Sequence, residues 1–141
     1  VPQADLYFLG SFTDKGNASK EMLSFLPKIK QKQVAYFATA GYGGSKEYYQ
    51  TLFERVKKQI NSSNQILGYF YCQGKMPLQV KERYLSLMTQ HPEDKTLSVS
   101  LENFEKAQTH PDEKDLQEVN HWSFSILQKT NKKEEVKSCN L

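Results

Sequence analysis

Three runs of almost wholly apolar residues, at 5–10, 34–38 and 65–72, set the pattern of this chain. Because polar residues do not alternate with apolar ones in these runs, each predicts a β-strand that is buried on both faces. Each run is followed by a segment with helical periodicity. Alternating strands and helices predict parallel strands joined by right-handed crossovers, which is an α/β fold with an open parallel sheet and helices on both faces.

Apolar residues spaced three and four apart predict the helices. Their approximate limits are residues 19–30, 45–60, 77–88, 101–108 and 110–127. Ser19 or Asn17 is expected to cap the first helix, and Pro27 is expected to end or distort it. Ser45 is expected to cap the second helix.

The segments that directly follow the first two strands carry the best clue to function. Ser11–Asn17 follows the first strand, and Thr39–Ser45 follows the second. Ligands of open parallel α/β sheets bind outside the carboxyl ends of the strands, where such segments lie side by side. Each segment carries one aromatic ring, Phe12 or Tyr42, and two such rings could flank a flat cofactor.

Composition and charge exclude several function classes. A length of 141 residues predicts one domain, assigned to residues 1–128, with a charged and frayed tail over 129–141. The net charge of +3 comes from 19 Lys and Arg against 16 Asp and Glu spread along the chain, so nucleic-acid binding is not expected. No apolar run approaches the ~20 residues of a membrane span, so no membrane association is expected.

The side chains that usually carry catalysis or bind metals show no recognisable arrangement. Cys72 and Cys139 lie far apart without a CxxC spacing, so neither a disulfide nor a zinc site is predicted, and a reducing cytoplasm is expected. For Cys72, a buried inert thiol is favoured over a reactive one. No Ser-His-Asp or paired-carboxylate pattern is present, and neither catalytic residues nor metal ligands are predicted.

Four segments together resemble flavodoxin-like proteins, and the last two resemble one bacterial branch of that family. The segments are Ala4–Gly16, Thr39–Ser45, Ile66–Pro77 and His110–Leu116. The resemblance covers about residues 3–127, nearly the whole chain. It implies a flavodoxin-like fold, FMN as cofactor and electron transfer as function.

The same resemblance implies which residues hold the flavin ring. They are Ser11, Phe12, Thr13, Asp14, Lys15, Gly16, Thr39, Ala40, Gly41, Tyr42, Gly43 and Gly44. For several of them a structural role is the alternative. Phe12 could pack beneath its own segment, the glycines could serve the turn alone, and Thr39 could cap the strand end.

One segment of the family pattern is missing from the sequence. Flavodoxins begin with a strand and a Thr-Gly-Asn-Thr type loop that wraps the FMN phosphate at a helix N-terminus. No such loop occurs here, and the three strands correspond to the last three of the usual order 2-1-3-4-5. The expectation is that an N-terminal β-α-β unit belongs to the native protein and is absent from this sequence.

Two functions emerge as hypotheses. The first is an FMN-binding electron-transfer protein or a flavin-dependent reductase component. Its electrons would come from a redox partner protein, because no nicotinamide-binding fingerprint is visible. The alternative is a truncated flavodoxin-like domain that binds no flavin and serves as a protein-interaction or dimerisation module. A homodimer would then form through the apolar edge of the sheet.

Overall fold

Three parallel strands form the centre of the sheet. The computed structural model describes the backbone of residues 1–139 and the side chains of residues 1–130. The described strands are β1 (Leu6–Asp14), β2 (Asn17–Ala18), β3 (Gln33–Ala40) and β4 (Gln65–Gln73), in the spatial order β2-β1-β3-β4. Pairing is parallel between β1 and β3 and between β3 and β4. The predicted open parallel sheet is confirmed.

The register of these strands aligns their carboxyl ends. Phe12 on β1 lies opposite Thr39 on β3, and Thr39 lies opposite Cys72 on β4. The segments after β1, β3 and β4 therefore leave the sheet at one common edge, as the sequence predicts.

Residues 11–14 differ from the sequence prediction, which places them in a loop. They continue β1, and Thr13 and Asp14 pair antiparallel with β2. Lys15 and Gly16 connect the two strands with φ values of 51° and 78°, as in the two-residue turns favoured between antiparallel strands. The loop prediction was wrong because β2 is only two residues long and its turn lacks the usual Asn-Gly signal.

The predicted helices are confirmed, with shifted limits. They are α1 (Lys20–Phe25), α2 (Lys46–Lys57), α3 (Leu78–Gln90), α4 (Thr96–Ala107) and α5 (Glu113–Cys139). Ser19 and Ser45 accept hydrogen bonds from the N–H groups of Met22 and Tyr48, so both predicted caps are confirmed. Pro27 lies in a 3-10 turn that ends α1 early, also as predicted.

Helix α5 runs through most of the segment that the sequence predicts to be a charged tail. Its backbone is helical to Cys139, while residues 140 and 141 and the Cys139 side chain lie outside the described structure. The division into residues 1–128 and 129–141 stays a prediction. None of the described helices combines the length and the apolar character that crossing a bilayer requires.

The two faces of the sheet are covered unequally. On one face α1 and α2 bury a continuous apolar core around Tyr36, Leu52 and Val56. On the other face α5 contributes Ile126, which packs on Ala35 and Leu67. The prediction of strands buried on both faces therefore holds for the first face and only in part on the second, where α5 buries Ala35 and Leu67 but leaves Phe8 and Phe37 exposed.

Several large apolar side chains remain exposed on the α5 side. Phe8 and Phe37 on the sheet are 39% and 38% exposed, and Phe124 on α5 is 60% exposed. Trp122 packs edge-on against Phe8, with ring centroids 6.0 Å apart, and lies 5.8 Å from Phe70. We call the surface formed by Phe8 and Phe37 of the sheet and Trp122 of the helix the α5 face. Phe124 lies two residues from both Trp122 and Ile126, so its side chain is on the opposite, outer side of α5.

Candidate functional site

The end of β1 presents one polar and one aromatic side chain. The Ser11 hydroxyl accepts a hydrogen bond from the Ser19 N–H and donates one to the Phe12 carbonyl. Ser11 therefore links β1 to the start of α1, a structural role. The Phe12 ring is 58% exposed, so the alternative of a ring packed beneath its own segment does not describe it.

The remaining residues of the first predicted segment, Thr13 to Gly16, belong to the β1–β2 hairpin. Arg55 on α2 donates from Nη1 to the Gly16 carbonyl at 3.3 Å, so α2 supports the turn. The hairpin is thus an ordered projection at the carboxyl edge of the sheet, and its role toward a cofactor stays a prediction.

The second predicted segment divides at the end of β3. Thr39 and Ala40 are the last residues of the strand, and residues 41–45, here called the β3–α2 loop, lead to the Ser45 cap. The Tyr42 ring is 41% exposed, and its hydroxyl lies 2.6 Å from the Ser100 hydroxyl on α4. Phe12 and Tyr42 thus lie at the carboxyl ends of adjacent parallel strands with accessible rings.

Two glycines of the β3–α2 loop, Gly41 and Gly43, lie close against the chain at the end of β4. A Cβ atom at Gly41 would come within 2.4 Å of the Met76 sulfur, and one at Gly43 within 2.9 Å of the Gln73 side chain. No other residue fits at either position without displacing those side chains. The close packing against Met76 and Gln73 therefore explains why glycine occupies positions 41 and 43. This explanation holds whether or not the loop also binds a ligand.

A cluster of stacked aromatic rings lies beneath this loop. The Tyr49 hydroxyl accepts a hydrogen bond from the Gly44 N–H at 3.2 Å, and its ring stacks on Tyr71 with centroids 5.5 Å apart. Burial raises the pKa of Tyr36, Tyr49 and Tyr71, so all three phenols are neutral at physiological pH. The aromatic side chains under the loop are therefore uncharged.

Cys72 lies on the same edge, at the end of β4. Burial, followed by the nearby carboxylates of Asp115 and Asp112, raises the pKa of its thiol to about 11. The thiol is thus protonated at neutral pH, which favours the inert interpretation over a reactive nucleophile.

Sequence reasoning missed the role of a polar cluster at the start of α5. The Asp115 N–H donates to the Asp112 carboxylate and the Asp112 N–H donates to the Asp115 carboxylate, each at 2.9 Å. His110 Nδ1 lies 2.6 Å from the same Asp115 carboxylate. This is a reciprocal cap, and the Asp-x-x-Asp spacing was the signal that could have revealed it. The three side chains are close enough to hold a metal ion, but capping accounts for their positions.

Comparison with known proteins agrees with this architecture. A family model described as a flavodoxin domain matches residues 1–123. The chain is 32% identical over 123 residues to the flavodoxin-like domain-containing protein BilS of Clostridioides difficile, and the match covers 87% of this chain and 70% of that protein. It is 31% identical over 130 residues to the BilS protein of Clostridium symbiosum, with 89% of this chain and 68% of that protein covered.

Proposed function

This chain belongs to the flavodoxin domain family, and we propose that it binds FMN and transfers electrons between redox partner proteins. It would act as an electron-transfer protein or as a component of a flavin-dependent reductase. The observation that carries the proposal is the pair of accessible rings, Phe12 and Tyr42, at the carboxyl ends of two adjacent parallel strands. Bound FMN would supply the redox chemistry, while the chain would bind and orient it.

The residues present fit the ring system of FMN better than its phosphate. Tyr42 offers an exposed aromatic face whose orientation is set by Ser100, and the neutral tyrosines below add no charge that would compete with a flat heterocycle. For the phosphate, the sequence offers no hydroxyl-rich loop of the Thr-Gly-Asn-Thr type. We therefore assign only the ring-binding part of the site to this chain.

The electrons would arrive from another protein. The Gly41-Tyr42-Gly43-Gly44 loop does not have the G-x-G-x-x-G spacing that binds a dinucleotide after a strand. A separate redox partner, rather than a bound nicotinamide, is therefore the proposed electron source. The cytoplasm is its proposed location, because the Cys72 thiol is free.

Titration with FMN tests this function. FMN would be added to the chain, and in parallel to the chain extended by any residues that its gene encodes before Val1, while visible absorbance and flavin fluorescence are recorded. We expect quenched emission and a shifted absorbance band in at least the extended protein. Free flavin in both samples would rule the proposal out.

Two substitutions locate the flavin ring. Phe12→Ala and Tyr42→Ala should each weaken FMN binding by about 1 kcal/mol, or about five-fold in Kd, because each removes one aromatic face. Phe124→Ala is the matched control, since this exposed ring lies on α5 and not at the ends of β1 or β3. Equal affinities for all three variants would place the flavin elsewhere.

A second function is favoured by a different observation. The α5 face leaves Phe8 and Phe37 exposed beside Trp122 on one surface, which is unusual for an isolated domain. A module that binds a second copy of itself, with no flavin, would use that face. Self-association that is insensitive to FMN would support this candidate.

A further inference from the structure

Helix α4 contacts the β3–α2 loop with two side chains one helical turn apart. The Ser100 hydroxyl lies 2.6 Å from the Tyr42 hydroxyl, and Asn103 donates from Nδ2 to the Gly41 carbonyl at 3.0 Å. Residues three apart on a helix share one face, so α4 presents both groups to the loop together. Tyr84 on α3 is a further neighbour, since burial and then the Tyr42 hydroxyl raise its pKa.

Gln73, at the end of β4, completes this contact from the other side. Its amide nitrogen donates to the Gly41 carbonyl at 3.1 Å and to the Asn103 side-chain oxygen at 3.1 Å. The Gly41 carbonyl thus accepts two hydrogen bonds, which uses both of its lone pairs. The two amide side chains also hold each other, so neither can turn away independently.

The direction of the Gly41 carbonyl also determines the direction of the Tyr42 N–H group. In a planar trans peptide the C=O and N–H bonds point in opposite directions. Because the Gly41 carbonyl faces Gln73 and Asn103, the Tyr42 N–H faces away from both amides. The same contacts therefore set the direction of a backbone donor and, through Ser100, the orientation of the adjacent aromatic ring.

We infer that Gln73, Ser100 and Asn103 are positioning residues, which hold the β3–α2 loop in its binding conformation before a cofactor arrives. This inference rests on the proposed function, because it assumes that this loop contacts the flavin ring. A loop that is ordered by the fold loses little conformational entropy on binding, so the affinity for a ligand is higher. Helices α3 and α4 would then act on the site through the loop, without touching the flavin.

Amide hydrogen exchange tests the positioning directly, in the protein without cofactor. Ser100→Ala and Asn103→Ala should each speed the exchange of the Tyr42, Gly43 and Gly44 amides and raise the Kd for FMN about five-fold, the ratio expected for one net hydrogen bond. Ser100→Thr keeps a hydroxyl and should restore both values. Ser98→Ala is the control, because this exposed hydroxyl of α4 bonds only to the Lys95 carbonyl among the described residues.

A further substitution guards against loss of the fold. Asn103→Asp keeps the size of the side chain but removes its donor, so it should loosen the loop even if Asn103→Ala unfolds the protein. Unchanged exchange at residues 42–44 in both Ser100→Ala and Asn103→Asp would overturn the inference. Faster exchange with an unchanged Kd for FMN would also overturn it.

The exchange data separate this inference from the proposed function. If the parent protein and its extended form bind no FMN, the proposed function fails. Exchange in the cofactor-free variants then decides alone whether Ser100 and Asn103 position the loop.

Discussion

A single buried hydroxyl group, that of Tyr36, has no hydrogen-bond partner among the described residues. The hydroxyls of Ser11 and Tyr71 are its polar neighbours, but neither reaches bonding geometry. A buried hydroxyl without a partner costs about 1–3 kcal/mol. Tyr36→Phe should therefore raise the free energy of unfolding by about 1 kcal/mol, as measured by urea denaturation.

Tyr49→Phe is the matched comparison for that prediction. This substitution removes the hydroxyl that accepts the Gly44 N–H, so it should lower the free energy of unfolding by about 0.5–1 kcal/mol. The two Tyr-to-Phe changes in one aromatic cluster should thus have opposite signs. A loss of stability in Tyr36→Phe as large as in Tyr49→Phe would show that the Tyr36 hydroxyl is satisfied in solution.

The roles of individual residues could be predicted only where their hydrogen-bond partners are close in the sequence. Ser19 and Ser45 were identified as caps because each lies next to the helix that it caps. Ser100 and Asn103 were not identified, because they bond to residues 58 and 62 positions earlier in the chain. No pattern of neighbouring residues indicates such a contact.

At the scale of an element, the start of α5 should depend on pH. The Asp115 N–H bonded to the Asp112 carboxylate lowers the pKa of Asp112 from its ordinary value of 3.8. A carboxyl with a lower pKa in the folded state stabilises the protein above its unfolded pKa, and this contribution is lost as the pH falls through the folded value.

Asp112→Asn tests this dependence. Asparagine keeps a capping oxygen but does not titrate, so the free energy of unfolding should fall less steeply with acid than in the parent protein. Urea denaturation between about pH 5 and pH 2 measures the slope. Glu113→Gln, one residue further along the same helix, is the control, and an equal slope in all three proteins would contradict the prediction.

Helices and strands were predicted reliably where the sequence shows periodicity or a capping residue. They were predicted less well where contacts with other parts of the fold determine whether an element forms or where it begins. The three long strands and five helices were all expected, because apolar runs and 3.6-residue spacing are strong signals. Strand β2 was missed because its two residues are held by β1 and carry no pattern of their own. Helix α4 begins at Thr96 rather than 101, and its added first turn buries Leu97.

At the scale of the whole molecule, the unequal covering of the sheet predicts self-association. Along Leu6–Phe12 the outer edge of β1 has no partner strand within the described residues, and it adjoins the α5 face. Unpaired edges and contiguous apolar surface both favour association. Sedimentation equilibrium of the chain should therefore show an average mass that rises with concentration.

Charged substitutions test which surface is responsible. Phe8→Glu and Phe37→Glu should each weaken the association about ten-fold, because a charge would be buried in the contact. Leu85→Glu is the control, since this exposed residue belongs to α3. A monomer at every concentration, or equal weakening by Leu85→Glu, would exclude the α5 face as the contact.

The position of Trp122 makes the α5 face observable by optical means. It is the only tryptophan of the sequence, and its indole ring contacts both Phe8 and Phe70. Any chain segment, second copy or other protein that covers Phe8 would displace water from around this indole and move its emission to shorter wavelength. A contact made only at Tyr42, beyond the carboxyl end of β3, would leave the position of that emission unchanged, so one native side chain distinguishes occupancy of the two surfaces.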